Sequence, residues 1–88
     1  MTVILIYEKS NDCIGVAKNY EAAVRYLINA HWIDDYTEVW CDRTSEWVLL
    51  KDAQGEEWAN DMLLKWDIDT FNDFWDGSFD LVITEVFE

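Results

Sequence analysis

The sequence lacks proline and has only three glycines and two cysteines among its 88 residues. Because it also lacks low-complexity and linker-like tracts, we expect residues 1–88 to form a single compact domain. The two cysteines, Cys13 and Cys41, are too few for a disulfide framework. The first residues lack the basic region that opens a signal peptide, so we expect a cytoplasmic protein whose cysteines are reduced thiols.

Basic residues are also scarce. Six Lys and Arg stand against 19 Asp and Glu, for a net charge of −13. Nucleic acids and anionic membranes are bound through Lys and Arg, so we expect direct binding to neither. The charge is uneven, since the chain from Asp52 onward has eleven acids and one base, whereas the first 51 residues have eight acids and five bases. The acidic C-terminal part is therefore the first indication of function.

The aspartates of residues 66–80, WDIDTFNDFWDGSFD, are spaced like the first ligands of a calcium-binding loop. Asp67 and Asp69 occupy the first and third positions of such a loop. However, Asn72 stands where the loop needs its turn glycine, and Ser78 stands where it needs a bidentate glutamate. We therefore predict that this stretch is not a calcium-binding loop.

Signatures of zinc binding and of catalysis are missing as well. Cys13, Cys41 and His31 lie on three different predicted elements, without a Cys-x-x-Cys pair. Neither thiol has the basic neighbours or the helix N-terminus that would activate it. The simpler interpretation is that the cysteines are small buried residues and that His31 lies in the last turn of a helix. We therefore expect no enzymatic activity, no cofactor and no metal site.

The hydrophobic pattern predicts an α+β fold of order ββα-ββ-αα-β. We expect one mainly antiparallel sheet of about five strands, with two to three helices on one face and the first and last strands at its centre. Asn19 is predicted to cap the first helix, and the last helix is predicted to be capped by Asp69 or Thr70 and ended by Gly77. The predicted strands are 2–7, 13–17, 36–41, 46–51 and 79–87, and the predicted helices are 20–32, 56–66 and about 69–76.

Periodicity also predicts which side chains are buried. Helical spacing in residues 69–76 places aromatic and acidic side chains on opposite sides, so that the acids form a row at i, i+4 and i+7. Alternation in residues 79–87 predicts that Phe79, Leu81, Ile83 and Phe87 share one face. Trp40 and Trp47 are predicted to pair across a hairpin, as stabilising aromatic neighbours. In residues 69–76 the predicted buried set is Phe71, Phe74 and Trp75, and the predicted outward row is Asp69, Asp73 and Asp76.

These patterns predict a surface that binds a protein partner. Like charges at such density repel one another, and an ordinary surface has mixed signs. Trp and Tyr are frequent in interface hot spots, so Trp32 and Tyr36, with the exposed Leu64, are the predicted apolar anchors. The alternative is that the acidity only keeps the protein soluble. The predicted partner-binding acids are Glu56, Glu57, Asp61, Asp67, Asp69, Asp73, Asp76 and Asp80.

In size, acidity, aromatic content and lack of a catalytic motif, the chain resembles small phage-encoded inhibitors of host defence nucleases. Anti-CRISPR proteins and DNA-mimic proteins belong to this group. The resemblance implies a basic partner, such as a nuclease or another nucleic-acid-binding protein, in the host cytoplasm and without a cofactor. The alternative is a small accessory module or homodimer that binds through aromatic side chains and a free sheet edge.

Overall fold

The computed structural model describes residues 1–9 and 12–87. It has five strands and four helices, and its sheets are antiparallel, so the α+β class is confirmed. No helix in the described ranges is long and apolar enough to span a bilayer. In chain order the elements are β1 (Thr2–Glu8), β2 (Cys13–Ala17), α1 (Tyr20–Asn29), β3 (Glu38–Cys41), β4 (Glu46–Leu49), α2 (Leu50–Gln54), α3 (Trp58–Leu64), α4 (Ile68–Phe74) and β5 (Phe79–Glu85).

The five strands form two sheets, so the expectation of one five-stranded sheet is wrong. The larger sheet has the order β2-β1-β5, and β3 pairs with β4 in a separate hairpin. The first and last strands are neighbours as predicted, but only β1 is central, because no other strand in the described part of the chain pairs with the outer side of β5. The hairpin stays short because the chain enters α2 at Leu50, a fully buried residue whose N–H donates to the Thr37 carbonyl.

Helix α1 begins at the predicted cap. The Asn19 side chain accepts a hydrogen bond from the Ala22 N–H at 2.8 Å, which satisfies a backbone donor of the first turn. Its predicted apolar stripe faces the core. Within that stripe the fully buried residues are Ala23, Val24 and Leu27.

The end of α1 corrects the prediction for His31. The helix ends at Asn29, and His31 lies beyond it with a left-handed backbone, φ 62°. The His31 N–H donates to the Ile28 carbonyl and the Trp32 N–H donates to the Leu27 carbonyl, which is the Schellman arrangement. His31 therefore terminates the helix through its backbone and does not lie in the last helical turn.

Helix α4 starts and ends earlier than the sequence pattern predicts. Its cap is Asp67, whose side chain accepts from the Thr70 N–H at 2.8 Å, so the assignment of the cap to Asp69 or Thr70 is wrong. The last helical residue is Phe74. A turn with Gly77 at φ 81° then leads into β5. Because the helix stops at Phe74, Asp76 lies in this turn and does not continue a regular row with Asp69 and Asp73.

The helices cover one face of the larger sheet, as predicted. The covered face contributes Ile4, Ile6, Ala17 and Leu81 to the core, whereas Val16 and Val82 on the opposite face are 63% and 37% exposed. The predicted face of β5 is only partly buried, because Ile83 is 62% exposed and Phe87, beyond the strand, is 89% exposed. The remaining buried apolar residues are Ala23, Val24, Leu27, Ile33, Val39, Leu50, Trp58, Met62, Phe71 and Trp75.

Candidate acidic and aromatic binding surface

Three shallow grooves meet at the turn between α4 and β5. The first, of about 250 Å³, lies between this turn and the end of β1. The second lies between the turn and the β3–β4 hairpin, and the third runs towards Trp32. Ser78 lines all three grooves, so they adjoin. We refer to the region as the acidic–aromatic surface and define it by Trp32, Glu38, Trp40, Trp47, Asp76 and Asp80.

The turn at the centre of this surface is held by backbone hydrogen bonds. The N–H groups of Ser78 and Phe79 both donate to the Trp75 carbonyl, at 2.8 and 3.0 Å. Gly77 adopts the positive φ that other residues disfavour. These bonds fix the direction in which the chain leaves α4, and they bring Asp76 to the mouth of two grooves.

Asn72 holds α4 against the free edge of β5. Its side-chain amide donates to the Leu81 carbonyl at 3.0 Å, and its side-chain oxygen accepts from the Leu81 N–H at 2.9 Å. The Leu81 N–H and C=O both point away from β1, towards the outer side of β5. On an edge strand these two groups would otherwise be left without a hydrogen-bond partner. The Asn72 side chain therefore ties α4 to the edge of β5, next to the buried Phe71 that packs the helix into the core.

The β3–β4 hairpin supplies two exposed tryptophans. Trp40 and Trp47 are directly opposite each other, as predicted, with ring centroids 5.7 Å apart and planes at 72°. The rings are nevertheless 48% and 62% exposed. The sequence predicts a stabilising contact between these two rings but not their exposure, because the exposure depends on what packs against the hairpin. Val39, on the other face of β3, is the residue that anchors the hairpin in the core.

Trp75 forms the floor between the hairpin groove and the groove that leads to Trp32. It is 2% exposed and its ring packs against Phe74 and Phe79, with centroids 5.0 and 5.4 Å away. Its indole Nε1–H is buried without a hydrogen-bond partner among the described residues. An unsatisfied buried donor costs about 1–3 kcal/mol, and such groups are uncommon enough in native proteins to call for an explanation.

The carboxylates of this surface are not neutralised by described cations. Glu38, Asp76 and Asp80 are exposed, and the ion pairs of the described ranges lie elsewhere in the fold. Lys9 is the basic residue in the lining of the first and third grooves. The surface therefore carries an excess of negative charge beside exposed indole rings. The ion pairs join Arg25 to Glu21, Lys65 to Asp61, and the N-terminal amine to Glu85.

Three predicted partner-binding residues lie on the acidic–aromatic surface: Asp76, Asp80 and Trp32. The Trp32 ring is 41% exposed and rests edge-on against Phe79, with centroids 6.4 Å apart. Asp69 and Asp73 are exposed on α4, which leads directly into the turn. They remain together as an i, i+4 pair on one side of the helix.

Two other predicted acids have local structural roles. Asp67 caps α4, and the hydrogen bonds that it receives from Thr70 lower the pKa of its carboxyl group. Asp61 is half-buried and lies 3.0 Å from the Lys65 ammonium, whose pKa is raised by this contact. Both carboxylates therefore already have partners within the chain.

The last predicted residues lie apart from the lining of the three grooves. Glu56 and Glu57 form the exposed turn before α3. Tyr36 is 70% exposed, and the Lys51 ammonium lies 5.1 Å from the centre of its ring, a cation–π contact within the chain. These three residues therefore lie outside the acidic–aromatic surface, and each of their side chains is exposed.

The two cysteines differ in exposure. Both thiols are free, and Cys13 is exposed, so its predicted burial is wrong. Cys41 is half-buried, and hydrogen bonds from Thr44 lower the pKa of its thiol. Within residues 1–9 and 12–87, no three His, Cys, Asp or Glu side chains are grouped as they would be around a metal ion.

Comparisons with protein families, with curated proteins and with solved structures gave no match.

Proposed function

We propose that the protein binds a basic, nucleic-acid-binding surface of a protein partner and inhibits the partner by occupying that surface. The observation that carries the proposal is the set of exposed carboxylates on α4, on the turn that follows it and at the start of β5. These carboxylates make no ion pair with a described residue, in a chain of net charge −13. The set consists of Asp69, Asp73, Asp76 and Asp80.

The physical basis is substitution of carboxylates for phosphates. A groove lined with Lys and Arg attracts the negatively charged surface as it attracts a nucleic-acid strand, and the long-range field accelerates encounter. Neighbouring carboxylates on a helix have Cβ atoms about 5–6 Å apart, which is comparable to phosphate spacing. Such an inhibitor acts by occupancy, without catalysis or a cofactor, and its partner is a nuclease or another nucleic-acid-binding protein.

Replacing Asp69, Asp73 and Asp76 together by lysine is expected to abolish capture of the partner. The measurement is a pull-down from host lysate with immobilised wild-type and variant protein. Wild-type capture should fall steeply between low and moderate salt, because screening weakens interactions between exposed charges. Basic proteins retained by the wild type should be missing from the eluate of the variant, whose folding is verified by circular dichroism.

The matched control reverses three other exposed acids, Asp12, Asp42 and Asp52, and so changes the net charge by the same amount. These residues lie before β2, in the β3–β4 turn and on α2, away from the lining of the three grooves. The control should retain most of the capture. If both triple variants lose it equally, the net charge is responsible and the α4 surface is not. Capture that survives the α4 reversal would refute the proposed site.

A second candidate, a homodimeric accessory module, is favoured by the uncovered face of the larger sheet. Val16, Val82 and Ile83 are exposed there or along the edge strand β5. If this face is a dimer interface, light scattering should give twice the monomer mass, and Val82→Asp should return the protein to the monomer. Under the first proposal the wild type is a monomer, since its net charge of −13 opposes self-association.

A further inference from the structure

The small groove between the β3–β4 hairpin and the α4–β5 turn combines exposed indole rings with carboxylates. Trp40 and Trp47 form one side of it, and Phe74 and Trp75 form the other. Glu38 is two residues before Trp40 on β3, so both side chains leave the same face of the strand. Asp76 reaches the groove from the turn. The groove therefore brings together side chains from two distant parts of the sequence.

This groove is too small to enclose a free small molecule, so it can act only as a surface on which a flat group rests. Its volume is about 40 Å³, whereas pockets for small molecules usually measure about 300 Å³ or more. Aromatic faces and carboxylates together select a cation that is both planar and able to donate several hydrogen bonds. The guanidinium group of arginine has these properties. It stacks on indole and donates in pairs to carboxylates, whereas the lysine ammonium is more strongly hydrated and binds as a point charge.

The exposure of the tryptophan pair is the evidence that it does more than stabilise the hairpin. About half or more of each ring is open to solvent, at 48% for Trp40 and 62% for Trp47. Indole rings attract cations more strongly than other aromatic side chains do. In the wall of the same groove, Trp75 keeps a buried indole N–H without a partner among the described residues.

We propose that Trp40 and Trp47, together with the carboxylates of Glu38 and Asp76, bind an arginine side chain of the partner. This inference rests on the proposed function and adds a specificity to it. Among basic surfaces, the protein binds those that present arginine more tightly than those that present lysine. The α4 carboxylates then supply attraction to any basic surface, and the hairpin groove supplies discrimination between arginine and lysine.

The test uses two peptides of equal length and charge, one rich in arginine and one rich in lysine, titrated into the full chain at low salt. The indole N–H resonances of Trp40 and Trp47 are observed by NMR. We expect the arginine peptide to bind about three- to tenfold more tightly and to shift both resonances, and the lysine peptide to shift them much less. Trp47→Leu should remove the preference for arginine and leave the affinity for the lysine peptide unchanged.

Trp32→Leu is the matched control, because Trp32 is also an exposed tryptophan but lies against Phe79 instead of the hairpin. Because Trp32 belongs to the acidic–aromatic surface, this variant should weaken the binding of both peptides equally and so retain the preference. Equal affinities for the two peptides, or unshifted Trp40 and Trp47 resonances in the wild type, would overturn the arginine site. The wild-type titration alone is therefore sufficient to test the arginine site, even if a tryptophan variant does not fold. If both peptides bind equally and the α4 charge reversal weakens both, the proposed function survives without the arginine site. If neither peptide binds, the proposed function fails too.

Discussion

Phe71→Ala is expected to lower the free energy of unfolding by about 3–5 kcal/mol, the usual cost of deleting a buried phenyl ring. Phe71 is fully buried in the middle of α4. Its ring lies edge-on to Tyr20 and beside Trp75, with both centroid distances 6.2 Å. The replacement therefore removes the side chain that joins α4 to α1 and to the floor of the acidic–aromatic surface.

The measurement is urea unfolding followed by tryptophan fluorescence and circular dichroism. A domain of this length is typically stable by roughly 4–13 kcal/mol, so the loss would take a large part of the total. Phe87→Ala is the matched control, since it is the same replacement at a residue that is 89% exposed. Its effect should stay within about 0.5 kcal/mol. Similar values for the two variants would contradict the assignment of Phe71 to the core.

Asn72→Ala is expected to lower the free energy of unfolding by about 2 kcal/mol. The side chain makes two hydrogen bonds to the Leu81 backbone, each worth about 1 kcal/mol, and their loss leaves both Leu81 groups without a partner. The variant should also aggregate more readily, because part of the β5 edge becomes free to pair with another chain. Thermal unfolding and light scattering at rising concentration measure the two effects.

Two replacements serve as controls for this contact. Asn72→Asp keeps the acceptor for the Leu81 N–H but places a carboxylate oxygen against the Leu81 carbonyl. This variant should therefore lose stability at neutral pH and regain part of it at low pH, where the protonated acid can donate to that carbonyl. Asn60→Ala makes the same change at an exposed position of α3 and should be nearly neutral. If Asn72→Ala is as neutral as Asn60→Ala, the side chain does not hold α4 to the strand edge.

Local chemistry was sufficient to predict much of the architecture. The two hairpins and their antiparallel pairing follow from short β-branched runs separated by turn residues. The Asn19 cap follows from its side-chain oxygen, and the buried stripe of α1 follows from helical spacing. The opposite placement of Phe71 and Asp69 on α4 has the same cause. Each of these features depends on residues within a few positions of one another.

Other elements were predicted incorrectly, because their structure depends on contacts between residues that are distant in the sequence. The apolar run through Leu49 and Leu50 fits a buried strand and a buried helix equally well, and the hydrogen bond from the Leu50 N–H to Thr37 accompanies the change to α2. Ile83 alternates correctly with Leu81 but is exposed, since β5 extends beyond the cover of the helices. The separation of the hairpin from the larger sheet depends in the same way on what packs around each strand.

The sequence by itself determined the net charge, the concentration of acids after Asp52 and the absence of a catalytic motif, because these depend only on which residues occupy which positions. It also placed Trp40 opposite Trp47, since register within a hairpin is local. Only the tertiary structure decided that this pair faces Asp76 across a groove, and that Asp61 and Asp67 have local partners instead. The physical reason is that the β3–β4 hairpin and the α4–β5 turn are distant in the chain and meet only through the core that both of them cover.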